Sequence, residues 1–311
     1  MTRDSSAYKI LAELLGQSDI DMFRYTVTLK DTEGQCSFFS KGNFAFLTLF
    51  LYLFTHVQMV AVASEYSGSS QDLFLIASIK GNADAFVSDR SILWIEKGYL
   101  AEEEVYLLHH KIDEAICNIE DFIGIQFDKK AYKKEKIEYF VHSGQEASHT
   151  ISGYQPGNYM HPVIFLSFAA EKNAPYVHET VHIIAWDWSA PWLEEGLAVF
   201  LNDTLSGYPT FPNYGEDLDR LAQSMLGCTS ALQKIDRSEI PEFPTREERR
   251  AFYILSGSFV KYLYTIIGIE NLMRVYIAKD TSKAVAEITG TTLDMLKNEW
   301  IQDVKQNIRQ K

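Results

Sequence analysis

The stretch Pro175-Tyr176-Val177-His178-Glu179-Thr180-Val181-His182 sets the reading of the whole chain. On a helix, residues four apart project from one face, so the imidazoles of His178 and His182 can reach a single cation. Val177, Val181, Ile184 and Ala185 form a separate apolar stripe able to face a core. One helix thus carries a stripe for burial and a stripe for metal. Imidazole nitrogen suits zinc, and Glu179, beside the first histidine, is placed to take a proton from a water activated there. A chance pattern of this kind arises at roughly the per-cent level in a chain of such composition, and its bland counterpart is a helix with two polar histidines and a surface glutamate.

Immediately downstream, Ser189-Ala190-Pro191-Trp192-Leu193-Glu194-Glu195-Gly196-Leu197-Ala198 opens a second helix, with Pro191 suited to its first turn. Either Glu194 or Glu195 can supply a third ligand. Three protein ligands would leave the open position that a catalytic zinc needs.

At this point the chain resembles the gluzincin metallopeptidases, whose HExxH motif is followed by a helix of the form W-L-x-E-G-x-A. The resemblance implies that the ligand is the glutamate directly before the glycine, here Glu195, with Glu194 at the variable position as the fallback. It also implies a zincin-like fold, Zn2+ as cofactor and Glu179 as general base. Tyr253-Ile254-Leu255-Ser256-Gly257-Ser258-Phe259-Val260 resembles the helix that follows the metal site in these families, where a tyrosine helps stabilise the oxyanion. Tyr253 matches best, and Tyr262 and Tyr264 are the alternatives. Thr289-Gly290 before a helix containing Trp300 extends the likeness over roughly the C-terminal half. Two departures stand out. Twelve residues separate His182 from Glu195, shorter than in gluzincin aminopeptidases, and no G-x-M-E-N segment is present to grip a free amine. The residues 162–167, a strand before the active helix, are the candidate for pairing with extended substrate.

Around this centre the pattern is α+β: strands and helices alternate first, and helices dominate later. Leu73–Ile79, Lys136–Val141 and 162–167 read as strands. Ala101–Ile123 reads as a helix through Val105, Leu108, Ile112, Ala115, Ile116 and Ile119. Further helices are expected at 174–186, 191–202, 216–226, 245–267, 269–278 and 292–308, with Gly268 as a stop. The expected architecture is a small N-terminal mixed sheet with helices and a mostly helical C-terminal lobe. The charge runs 129–136 and 246–250 read as solvated faces or helix starts, because acidic residues are mixed into both. His109, His110, His142 and His161 read as structural or exposed, as does His149, which could still approach the cleft.

The net charge of −13, from 42 acidic and 29 basic residues, excludes a phosphate-tracking nucleic-acid binder. From Gly42 to Ser64 no charged residue occurs, and Ala61-Val62-Ala63 has the small-x-small form of a signal-peptidase site. Residues 43–63 are therefore expected to be a signal or membrane anchor, with a buried hydrophobic helix or strand pair of a soluble N-terminal domain as the alternative, and the protein is expected to be extracytoplasmic, secreted or membrane-anchored. The expected division is 1–63 as an N-terminal segment and 64–311 as the peptidase-like domain. Of the three cysteines, Cys117 and Cys228 could pair in an oxidising compartment. The functional expectation is a zinc peptidase acting on a peptide or protein substrate. The alternative is a catalytically inert surface protein that keeps the same fold for binding.

Overall fold

The computed structural model describes residues 70–127, 135–144, 148–151, 162–239 and 241–306. Every described residue lies within the unit Gln58–Lys311. The apolar stretch 43–63, the turn-rich 153–158 and His161 lie outside the described residues.

The architecture is α+β, a five-stranded mixed sheet followed by helices. The sheet holds β1 (Ala83–Val87), β2 (Ser91–Glu96), β3 (Ile137–Val141), β4 (His149–Ile151) and β5 (Val163–Leu166), in the spatial order β1-β2-β3-β5-β4. β2, β3 and β5 run parallel, while β1 and β4 are antiparallel to their neighbours. β3 and β5 are buried along their whole length, as central parallel strands covered on both faces should be.

Two strand expectations change. Residues 73–79 lie in a helix, α1 (Ser70–Asn82), because a short apolar run has no periodicity that separates a strand from a buried helix. Ile76 and Ile79, three apart, are its buried contacts, packed with Phe140 and Phe165 against one face of the sheet. The strand at 163–166 is present, but it lies between β3 and β4 and has no free edge for substrate. The edge beside it is β4.

On the other face, α2 (Glu102–Ile123) buries the six residues of its predicted stripe. Three glutamates in its first turn suit the helix dipole, and Gly124 closes it at φ 69. The helical part comprises α3 (Tyr176–Ile184), α4 (Pro191–Leu205), α5 (Leu218–Met225), α6 (Thr229–Leu232), α7 (Arg246–Tyr276), α8 (Thr281–Thr289) and α9 (Leu293–Gln306). Pro191 opens α4 as expected, whereas Pro175 sits at the cap of α3 rather than inside it. α7 is continuous across the expected stop but kinks there, with Gly268 at φ 71 and ψ 171. Among the described residues, α7 is the one helix long and apolar enough to cross a membrane; half of its apolar window is buried against its neighbours in this fold.

The core of the helical part is the crossing of α4 with α7. Trp192 stacks on Phe259, and Phe259 packs on Trp300 of α9, with ring centroids 5.4 and 5.1 Å apart. Each helix brings a glycine to the crossing. A β-carbon at Gly196 would lie 2.7 Å from the Ser256 carbonyl oxygen and 2.6 Å from Val260 Cγ2, and one at Gly257 would lie 2.5 Å from Val199 Cγ1. The backbones approach as closely as they do because both side chains are hydrogen. Cys117 and Cys228 are free thiols.

Candidate metal centre

α3 is buried throughout, wedged beneath β4 and β5 and against α2 and α4. Two hydrogen bonds fix its rotation: Tyr139 of β3 meets the Thr180 hydroxyl at 2.7 Å, and Thr150 of β4 reaches Glu179. Rotated this way, α3 turns Val177 and Val181 into the core and aims His178 and His182 at α4. The turn between α3 and α4 is held by the far end of α7. The Tyr276 hydroxyl donates to the Ala185 carbonyl at 2.8 Å, and the Tyr276 carbonyl accepts from the Ser189 amide at 2.8 Å.

Nε2 of His178 lies 3.2 Å from Nε2 of His182. Glu195 Oε2 lies 3.4 Å from the first and 3.8 Å from the second. These three donor atoms fall within 4.8 Å of one another and could hold a metal ion. Two ligands on a tetrahedral zinc, each at about 2.0–2.1 Å, stand about 3.3–3.4 Å apart, so the observed spacings fit that geometry. Glu195 Oε2 is buried with no hydrogen-bond partner, an arrangement that a cation would satisfy.

The geometry also separates the two glutamates. Glu194 approaches neither Nε2; its Oε1 stands 3.2 Å from His182 Nδ1, on the far side of the ring. A carboxylate there can orient a ligating imidazole and raise its basicity without touching the metal. Burial opposes charge on His182, but Glu194, Glu195 and Glu179 outweigh it and push its pKa up to about 9. Burial likewise opposes ionisation of Glu195, yet His178 and His182 hold its carboxyl below the usual value.

Tyr253 reaches the site from α7. Its hydroxyl donates to Glu195 Oε1 at 2.9 Å, and its ring stacks beside His178 at 6.1 Å between centroids. Burial and the adjacent Glu195 raise the phenol far above its ordinary pKa, so it acts as a donor and stays protonated. Tyr262 and Tyr264 point elsewhere, Tyr262 toward Glu299 and Tyr264 against Phe122 and Phe200.

Glu179 carries a partner that sequence reasoning missed. Thr150 Oγ1 donates to Glu179 Oε2 at 2.8 Å and also lies 3.1 Å from the Glu179 carbonyl. His149, the neighbour of Thr150, reaches the cleft lining as expected, with its ring meeting Asp72 at 3.0 Å and stacking on Phe165. A three-residue strand contacting a helix 29 positions away leaves no local signal in sequence.

The trio opens into a cleft of about 810 Å³, lined on one side by Ser148, His149 and Thr150 of the sheet edge and on the other by the start of α7. Phe168 and Tyr214 stand at its lip with φ of 60 and 51, and their rings remain 38% and 44% exposed. Bulky residues rarely adopt that backbone region; Tyr214 packs there on Phe211 and beneath Arg250. Neither a scan against protein-family models nor a search of curated proteins finds a match for this chain.

Proposed function

We propose that the protein is a zinc-dependent peptidase with a zincin-like fold, holding the metal through His178, His182 and Glu195. The observation that carries this reading is the convergence of two Nε2 atoms and one unpartnered carboxylate oxygen at tetrahedral spacing, with Glu179 beside them on the same helix. Zinc held there would supply Lewis acidity toward the scissile carbonyl and the attacking water.

The chain's own residues do the rest. Glu179 takes the proton of the attacking water and delivers it to the leaving amine, the general acid–base role. The Thr150 hydroxyl holds the Glu179 carboxylate in place through Oε2. Tyr253 holds Glu195 through Oε1 with its one hydroxyl proton, and would turn that proton to the substrate oxygen as negative charge develops there. The exposed edge of β4 is the face on which an extended peptide would pair. Residues 43–63, with Ala61-Val62-Ala63 at their end, support export or anchoring and so an extracytoplasmic site of action.

Glu179→Gln keeps the shape of the side chain and removes the base. It should retain stoichiometric zinc and lose hydrolysis of an unstructured protein such as casein by about 10²–10⁴-fold or more. Full activity in that variant would overturn the mechanism, and a zinc-loaded wild type inert toward all peptides would favour the binding-protein alternative.

A further inference from the structure

The same cleft has a cationic wall that the chemistry above does not use. Arg246 and Arg249 line it from the first turn of α7, opposite the carboxylates of Glu179, Glu194 and Glu195. Three residues apart, they share a face of the helix, and that face continues to Tyr253. Two neighbouring charges are occupied: Glu248 pairs with Lys234 at 2.5 Å, and Arg250 donates to the Pro212 carbonyl at 2.8 Å. Among the described residues, neither Arg246 nor Arg249 has a carboxylate within ion-pair distance.

Folding gives no reason for this placement. Cations in the first turn oppose the helix dipole, where Glu247 and Glu248 are the residues it favours. Both arginines are exposed and therefore add little to the core. Among the described residues, these two face the cleft without a carboxylate partner. Phe243 lies under the Arg249 guanidinium, 5.9 Å from the ring centroid, which steadies it over the opening.

We propose that Arg246 and Arg249 bind a carboxylate of the substrate, so that the cleft selects peptides bearing an acidic group close to the scissile bond. This rests on the peptidase reading for the word substrate, and on the arginines alone for the carboxylate. Along the helix axis Arg249 and Arg246 lie about 6 and 10 Å from Tyr253 at about 1.5 Å per residue. An extended chain advances about 3.3 Å per residue, which puts the acidic group about two to three residues from the bond cut. A guanidinium pair offers the planar donor array that carboxylates match. The carboxylate can come from an Asp or Glu side chain or from a free C-terminus.

The test uses matched peptides on the zinc-loaded full chain: Glu against Gln at each position flanking the cut, and free C-terminus against C-terminal amide. Kd is measured by calorimetry on the Glu179→Gln variant, and kcat/KM on wild type. Removing the recognised carboxylate should weaken binding about ten- to hundredfold in a protein with both arginines, and by less than about twofold in Arg246→Gln/Arg249→Gln. The Glu/Gln arm and the amide arm tell the two sources apart. Because both arginines are exposed, the double variant should melt and load zinc like its parent. Equal affinity for acidic and neutral peptides, or a preference that survives the double variant, would overturn the proposal. The calorimetric readout needs no bond cleavage, so failure of the peptidase reading registers separately as zinc-loaded protein that binds acidic peptides and cuts none.

Discussion

Substituting Gly196 by alanine should destabilise the protein, although alanine is the better helix former. In an unobstructed helix interior the exchange gains up to about 1 kcal/mol. At Gly196 the new carbon would stand 2.7 Å from the Ser256 carbonyl oxygen and 2.6 Å from Val260 Cγ2. The valine can rotate; the carbonyl belongs to the middle of a 31-residue helix and moves only with it. Forcing a methyl into such a contact costs about 1–3 kcal/mol and outweighs the propensity gain. We expect a net loss of about 1–2 kcal/mol, seen in calorimetry as a fall in Tm of about 2–8 °C. Zinc affinity should drop as well, because Glu195 precedes the glycine and its 2.9 Å bond from Tyr253 spans the two helices being pushed apart. Gly81→Ala is the control: a β-carbon there meets nothing within 4 Å, so the variant should melt at or above the parent. If Gly196→Ala were as stable as Gly81→Ala and kept its zinc, the close crossing would be wrong.

Four further outcomes follow from the site. Glu195→Ala should lose bound zinc in metal analysis, whereas Glu194→Ala should keep it with affinity reduced about 10–100-fold, since Glu194 touches only the far nitrogen of His182. In the metal-free protein His182 titrates near 9, above its ordinary 6.5. Zinc must then displace a proton, so its apparent affinity should rise about tenfold per pH unit and level off near pH 9, measured by competition with an indicator. By the same sign, the stability His182 gives the metal-free fold is complete below pH 6.5 and lost as pH rises through about 9, which a series of melts would show. Thr150→Val should lower kcat about tenfold with zinc content unchanged and Thr150→Ser restoring it; an unaltered kcat in the valine variant would remove Thr150 from the support of Glu179.

The site was legible where its chemistry lies within one turn of helix. The spacing of His178 and His182 and the glutamate before Gly196 point to the trio that the structure brings together. Helix geometry alone left Glu194 and Glu195 open, since adjacent residues differ by about 100°; the resemblance chose Glu195, and Glu195 is the one that the structure groups with the histidines. The helix stripe of α2 was readable because its burial repeats every three or four residues. β2 was missed although Ser91, Leu93 and Ile95 alternate with half-buried residues, a period-two signal too short to stand alone. β1 has no such alternation, because only its partner strand orders it. Arg246 to Arg250 read correctly as a helix start, but nothing local tells which of its charges will overlook a cleft.

The clamp that Tyr276 places on the turn between α3 and α4 has a practical consequence. Both ligand-bearing helices are anchored by contacts that involve no ion: the aromatic stack of Trp192, the glycine crossing and that paired hydrogen bond. The donors therefore stand ready before any cation arrives. We expect a metal held there to be removable by a chelator and replaceable by another divalent ion while the scaffold stays folded, so that cobalt, with its visible absorption, would report the coordination of the trio.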